Sequence, residues 1–302
     1  MKIALALTGH LRMNPLNCIQ SSINFLKNYS TNLDTYINTY DVIGSHVKSK
    51  NYSTVKTEYT YDSENAHEVL NVIEKKFNPK RITINTFDDY QNDIIIPKTN
   101  KLIERINNSD LGPSIKNPGM LTGLIAQSTQ RKDILQEIFK SEKKYDAILI
   151  TRPDVNLSGL SYVDLNDEIY HLQSTPFFEK DRSVYLQNNI IQNKIAKKFK
   201  IGRTKTNLIG DILFFGKYEY IYKMYDLFFK SVEEVMYEIY KTSPEFMTYT
   251  YGPTFKTIPN WEMPEFIISR WGLTSLTNFK KIAIFDLKND DQTREFVLHK
   301  NI

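Results

Sequence analysis

The chain has 302 residues, 41% of them hydrophobic, which is long enough to bury a substantial core as one large α/β domain or two small ones. Its net charge of +4 permits an anionic ligand but does not demand one. The single cysteine, Cys18, excludes an intrachain disulfide, and no apolar run is long enough to span a bilayer. These features favour a cytoplasmic protein.

The first predicted element is a strand over residues 2–7, an apolar run that stops at Thr8 and Gly9. Residues 10–12 follow it, in place of the small-residue cleavage site of a signal peptide. Gly9 permits a tight turn and a close approach of the backbone to a ligand. Pro15 then begins an amphipathic helix, and a helix N-terminus offers N–H groups to anions. The segment favours an anion-binding turn, although it matches neither GxGxxG nor a P-loop.

Strands and helices continue to alternate after this turn. Residues 34–41 and 80–86 have the composition of strands, and residues 64–77 form an amphipathic helical pattern that ends before Pro79. The order β-α-β-α-β is the pattern of a parallel, doubly wound sheet. We expect polar, turn-like structure over residues 44–62.

Residues 88–117 predict an excursion from the sheet, because they are polar and contain one short helical pattern, at residues 101–106. Such an excursion could fold over a bound ligand. The longest helical pattern of the first half, residues 120–142, comes next. We expect three of its polar side chains on the helix surface: Gln127, Arg131 and Lys132.

The strand that organises the whole prediction covers residues 147–150 and is followed by Arg152, Pro153 and Asp154. Its continuous hydrophobicity indicates a strand covered on both faces. Pro153 cannot donate to a ladder and should end it. Arg152 and Asp154 would then lie at the carboxyl end of a central strand, where open α/β sheets bind ligands. We expect Thr8, Gly9 and Arg12, which follow the first strand, to meet them in one cleft at this edge. The alternative is a simple surface ion pair at a strand end.

The second half is richer in loops. It contains further predicted strands and helices, and we find no repeat, zinc-ligand spacing, coiled-coil heptad or domain linker in the chain. The predicted strands cover residues 168–172, 211–216 and 281–287; the predicted helices cover residues 187–199, 218–240 and 261–271; residues 296–302 are expected to be a polar tail.

Five stretches carry a resemblance to a known family. They are IALALTGHLR (residues 3–12), DTYINTYD (34–41), YDAILITRPD (145–154), DILFFG (211–216) and PE (264–265). The set resembles bacterial and large-virus glycosyltransferases of GT-A type, which act in the synthesis of surface polysaccharides and related glycans. Their corresponding strands typically resemble ALCLSGQxR, DVFIHTWD and YDxVIRxRPDL.

This resemblance implies a single GT-A-like domain over residues 1–302, with a mostly parallel sheet and helices on both faces. Residues 1–155 would bind a nucleotide-sugar donor, and residues 156–302 would bind a glycan acceptor and complete the catalytic site. The residues implied in donor binding are Thr8, Gly9, His10, Arg12, Asn38, Thr39, Arg152 and Asp154.

The chain departs from the family pattern where a metal would bind, because Arg152 stands at the first position of the usual Asp-x-Asp motif. Asp154 alone could still hold Mg²⁺ or Mn²⁺ together with phosphate oxygens and water. Alternatively, the guanidinium of Arg152 could neutralise the diphosphate and make a metal unnecessary. His10 also replaces the usual glutamine, and Asn38 replaces a histidine.

Glycosyl transfer also needs a base if the reaction inverts, and the candidates are Asp211 and Glu265. Each has a structural alternative, as a turn residue before a strand and as a first-turn acid favoured by a helix dipole. Two other functions stay open: transfer to a hydroxylated or already glycosylated DNA base, and a non-catalytic nucleotide-sugar-binding module. The basic residues 194–205 and the aromatic residues 244–261 could serve a DNA acceptor.

Overall fold

The computed structural model describes residues 1–12, 14–46, 59–109, 119–141, 144–160, 162–166, 168–174, 212–242, 279–289 and 294–299. Its strands are β1 (Lys2–Thr8), β2 (Asn32–Tyr40), β3 (Ile43–His46), β4 (Tyr59–Asp62), β5 (Arg81–Asn85), β6 (Ala147–Thr151), β7 (Ile169–Ser174), β8 (Leu213–Lys217), β9 (Phe279–Asn289) and β10 (Arg294–His299).

The described helices are α1 (Pro15–Lys27), α2 (Ser63–Phe77), α3 (Phe87–Asp89), α4 (Ile96–Asn107), α5 (Gly119–Lys140), α6 (Tyr218–Leu227) and α7 (Val232–Thr242). A π-helix (Tyr90–Ile95) joins α3 to α4, and a 3₁₀ turn (Phe229–Ser231) lies between α6 and α7. None of these helices is both long and apolar enough to cross a membrane.

Eight strands form one mixed sheet in the order β10-β9-β7-β8-β6-β1-β2-β5. The strands β5, β2, β1 and β6 run parallel to one another, which confirms the predicted α/β class and the parallel arrangement of the first half. However, β8 runs antiparallel to both β6 and β7, and β10 runs antiparallel to β9. Strands β3 and β4 form a separate antiparallel pair.

The centre of the sheet is covered on both faces, as the continuous hydrophobicity of β1 and β6 predicts. Successive side chains of a strand point to opposite faces. Accordingly, Ala4 and Ala6 belong to the core beneath α4, α5 and α6, whereas Ile3, Leu5 and Leu7 belong to the core beneath α1 and α2. All five residues are fully buried. This double cover holds the central strands and their ends in fixed positions.

Three expectations about secondary structure were wrong. Residues 44–62, expected as turns, contribute to both β3 and β4, and residues 296–299 of the expected polar tail belong to β10. The short helix predicted at 101–106 is present, but it belongs to a longer helical segment that begins at Phe87 and ends at Asn107. The single helix expected over residues 218–240 is interrupted at Phe228, whose φ of −122° and ψ of −68° are not helical. The predicted helices over residues 187–199 and 261–271 lie outside the described residues.

The expectation that Arg131 lies on the helix surface was also wrong. Helix α5 lies between the sheet and the helices α4 and α7, and only 1% of Arg131 is exposed. Its guanidinium carbon lies 5.4 Å from the ring centre of Phe214 and 5.7 Å from that of Phe229. Aromatic faces attract a cation at this range, so the charge is partly compensated within the core.

Candidate functional site

The parallel strands place a topological switch point between β1 and β6. The four parallel strands lie side by side in the order β5-β2-β1-β6, so the chain moves outward from β1 to β5 and then returns to the other side of β1 with β6. Helices α1 and α2 cover one face, and α5, which leads into β6, covers the other. Ligands of open α/β sheets bind outside the carboxyl ends of the strands at this point. Residues 9–12 follow β1, and residues 152–154 follow β6.

Hydrogen bonds hold the turn after β1 against the end of β2. Gly9 has a φ of +116°, a conformation that strains any residue with a side chain. Its N–H donates to the carbonyl oxygen of Asn38 (3.2 Å), and the Thr39 hydroxyl donates to the carbonyl oxygen of Gly9 (2.8 Å). Leu11 forms an isolated bridge with Ile43. These bonds fix the direction in which Arg12 leaves the sheet.

Arg12, Arg152 and Asp154 form one ion cluster, which we call the carboxyl-edge cluster. Arg152 donates from Nε to Oδ1 of Asp154 (2.9 Å) and from Nη2 to Oδ2 (2.6 Å), a bidentate pair. Nη1 of Arg12 lies 3.2 Å from the same Oδ2. The expectation that residues following β1 and β6 meet at one sheet edge is therefore confirmed for these three side chains.

The carboxyl-edge cluster is largely buried and carries one excess positive charge, from two guanidinium groups and one carboxylate. The Asp154 side chain is 4% exposed, and those of Arg12 and Arg152 are 17% and 16% exposed. Burial by itself would raise the pKa of Asp154, but the charges of Arg152 and Arg12 outweigh it and hold the pKa below its usual value. The carboxylate is thus ionised at neutral pH.

His10 lies beside the cluster in an aromatic setting. Its ring centre is 4.4 Å from that of Tyr40 and 5.2 Å from that of Phe87. Burial, together with the charges of Arg12 and Arg152, lowers the pKa of His10 to about 3. At neutral pH the imidazole is therefore uncharged, with one nitrogen as a donor and the other as an acceptor.

The remaining residues predicted to bind the donor have structural contacts. Thr8, Asn38 and Thr39 are buried. The side-chain oxygen of Asn38 accepts a hydrogen bond from Nδ2 of Asn85 (2.7 Å), and Asn38 lines a crevice of about 260 Å³ between β2, β5 and α5. Thr39 holds the turn at Gly9, as described above. For all three residues, a role in ligand binding stays a prediction.

The donor set of this site does not suit a divalent cation. Both oxygens of Asp154 already accept from guanidinium groups, so an ion would have to displace Arg152 and then face two positive charges. In the part of the chain that the structure describes, no three His, Cys, Asp or Glu side chains form a group that could hold a metal. Asp154 fits the description of a partner for arginines rather than a metal ligand.

The two predicted catalytic carboxylates, Asp211 and Glu265, lie outside the described residues. Strand β8 is nevertheless informative, because it runs antiparallel to β6 and its first residue, Leu213, pairs with Thr151. The strand therefore begins at the edge where β6 ends. Ile212, which follows Asp211 in the sequence, is buried.

The sequence analysis missed the aromatic surroundings of this edge. Phe87 is separated from β5 by Thr86 alone, and its N–H donates to Oδ1 of Asp41 (2.9 Å), which fixes the start of the helical segment beside His10. Tyr40 packs edge-on against both Phe87 and Tyr90. An aromatic residue shortly after a strand is the signal that could have indicated Phe87.

No protein-family model matches the chain, and no curated protein sequence matches it either. The evidence about function therefore comes from the residues of the site.

Proposed function

We propose that the protein is a glycosyltransferase that moves a sugar from a nucleotide-sugar donor to a hydroxyl group of a glycan acceptor. One observation carries the proposal: Arg12 and Arg152 come from two adjacent parallel strands and meet at the switch point of the sheet, fixed by the buried carboxylate of Asp154. This is the position at which open α/β sheets bind nucleotides, and paired guanidinium groups suit a diphosphate.

The chemistry requires what the carboxyl-edge cluster offers. The bond between the sugar's anomeric carbon and the diphosphate oxygen breaks, and its electron pair stays on the diphosphate. The acceptor oxygen bonds to the anomeric carbon and loses its proton to a base. Negative charge therefore grows on the leaving diphosphate, and positive groups already in place stabilise that transition state without reorganising. Asp211 and Glu265 are the proposed candidates for the base.

The first test uses the wild-type protein with a panel of nucleotide sugars that differ in base and sugar. We expect at least one donor to be hydrolysed slowly to the nucleotide, as measured by chromatography of the products, and faster when a suitable glycan is added. Binding of nucleotide sugars with no turnover would favour a non-catalytic module. If glycosylated or hydroxylated DNA accelerates turnover and glycans do not, the acceptor is DNA and not a glycan.

The second test compares two arginines. We expect Arg152→Ala to lower kcat by about 10²–10³, because it removes one charge opposite the leaving group. Arg81 is the matched control, since it forms an exposed ion pair with Glu137 at the opposite end of β5. Arg81→Ala should keep kcat within about twofold, as expected for a surface pair of little energetic value. Equal kcat values for the two variants would contradict the proposed role of Arg152.

A further inference from the structure

We infer that the carboxyl-edge cluster takes the place of the divalent cation, so that donor binding and transfer need no added metal. The inference rests on the proposed function and specifies how its diphosphate is held. It decides between the two alternatives that the sequence leaves open and assigns Asp154 to the positioning of Arg12 and Arg152 rather than to a metal.

The guanidinium groups already occupy both carboxylate oxygens of Asp154. A carboxylate that binds a metal must turn at least one oxygen towards the ion and the phosphates. In Asp154 the fork of Arg152 occupies both oxygens, at 2.9 and 2.6 Å, and Arg12 adds a third contact. The two partners come from different segments of the chain, because one follows β1 and the other follows β6.

The second argument concerns charge. One carboxylate with a bound divalent cation would leave one positive charge in excess for the phosphates. One carboxylate with two guanidinium groups leaves the same excess, and it is part of the protein at all times. Arginine stays protonated in proteins, and its planar donors match phosphate oxygens. The cluster therefore supplies the charge of a cation together with directed hydrogen-bond donors.

The third argument concerns the surroundings. His10 is held uncharged by burial and by the neighbouring arginines, so it adds no further positive charge next to the phosphates. Burial is the main cause of the lowered pKa of His10, about 3, and repulsion by Arg12 and Arg152 adds to it. A divalent cation entering the same space would meet that repulsion as well.

The main experiment measures binding of a nucleoside diphosphate by calorimetry, and turnover of its sugar, in excess EDTA and with Mg²⁺ or Mn²⁺. We expect the Kd and kcat with and without cations to agree within about twofold, because both oxygens of Asp154 already accept from guanidinium groups. Stimulation of wild-type turnover by about tenfold or more with Mn²⁺ would overturn the inference while leaving the proposed function intact. Absence of both binding and turnover under every condition would instead overturn the proposed function.

A pair of variants tests whether Arg152 stands where an ion could otherwise bind. In Arg152→Ala the carboxylate of Asp154 loses its bidentate partner, so Mn²⁺ should stimulate the residual turnover several-fold. In the double variant Arg152→Ala with Asp154→Asn that stimulation should disappear. Thermal melting checks that both variants are folded, and Arg81→Ala serves as the cation-insensitive control. Insensitivity of the Arg152→Ala variant to Mn²⁺ would contradict the view that Arg152 replaces the ion.

Discussion

Two ion clusters of similar composition lie at opposite edges of the same sheet. At the carboxyl edge Asp154 lies between two arginines, and at the amino edge Asp34 lies between two lysines. We call the second group, which comprises Lys2, Asp34, Lys80 and Tyr145, the amino-edge cluster. Each cluster contains one acid and two basic residues, but the two differ in geometry, burial and place in the fold.

The amino-edge cluster joins the beginnings of strands. Oδ2 of Asp34 lies 3.3 Å from Nζ of Lys2 and 3.6 Å from Nζ of Lys80. It also accepts a hydrogen bond from the Tyr145 hydroxyl (2.6 Å), which in turn lies 2.7 Å from the hydroxyl of Tyr36. Burial and the bonds to Asp34 and Tyr36 raise the pKa of Tyr145, so its hydroxyl keeps its proton. These contacts connect β1, β2 and the entry to β6.

The comparison teaches that a similar set of charges can serve different purposes. Lysine is a flexible, well-hydrated point charge, and each of the two lysines of the amino-edge cluster makes one contact with Asp34, without a bidentate fork; they are 18% and 31% exposed. The arginines of the carboxyl-edge cluster are planar, less exposed and located at the switch point. We therefore expect the amino-edge cluster to contribute to stability and the carboxyl-edge cluster to ligand binding.

The largest expected effect comes from removing each central acid. Asp154→Ala removes a carboxylate that pairs with two largely buried arginines, which should lower the free energy of unfolding by about 3 kcal/mol. It should also lower kcat by about 10²-fold, because the arginines are no longer positioned. Asp34→Ala should cost about 1–2 kcal/mol and leave kcat unchanged. Urea denaturation and donor turnover measure the two quantities, and a large loss of kcat in Asp34→Ala would break the comparison.

The next effect concerns pH and is confined to the carboxyl edge. His10 has a pKa of about 3 in the folded protein and about 6.5 when unfolded. Below pH 6.5 the unfolded chain therefore binds the proton more readily, so the folded state loses stability as the pH falls towards 3. His10→Gln should remove this loss, and its advantage over the wild type should grow by about 2 kcal/mol between pH 7 and pH 5.

Urea denaturation at several pH values measures this difference. His67, on the exposed side of α2, provides the variant His67→Gln as a control for the same exchange at a position away from the carboxyl edge. Parallel stability curves for the wild type and His10→Gln would show that His10 is not held uncharged in the fold.

The smallest effect is expected from a single hydroxyl at the amino edge. Tyr145→Phe removes the donor to Asp34 but keeps the ring, so the free energy of unfolding should fall by about 1 kcal/mol. Donor turnover should not change, since the hydroxyl is remote from the switch point. Tyr162→Phe is the matched control, because Tyr162 is 57% exposed and should lose almost no stability. A shift in KM for Tyr145→Phe would link the amino edge to ligand binding.

Much of the first half was predictable from the sequence. The continuous apolar runs of β1 and β6, and Pro153 after β6, predicted buried parallel strands and the convergence of Arg12 with Arg152. The direction of β8 was not predictable, because an apolar run contains no information about which way a strand is paired. Strands β3 and β4 lie on either side of residues 47–58 in the sequence, and no local pattern indicates that they pair.

The detailed chemistry of the two edges was less predictable. The sequence left open whether Asp154 holds a metal or whether Arg152 makes a metal unnecessary, because the second partner, Arg12, lies far away along the chain. The amino-edge cluster gave no signal at all, since Asp34 and Tyr145 are 111 residues apart. Arg131 was placed on the surface because arginine is rarely buried, and only the packing of α5 against Phe214 and Phe229 explains the exception.

The pairing of β1 with β6 also affects how the sheet can fold while the chain is being translated. During synthesis β1 emerges well before its second neighbour, β6, which begins only at Ala147. Until then one edge of this largely apolar strand has no partner, and such edges pair readily with other chains. Closing this long loop is entropically slow, so folding of the sheet centre should lag behind translation of the first half. A chain that ends before residue 147 would expose that edge permanently and should aggregate.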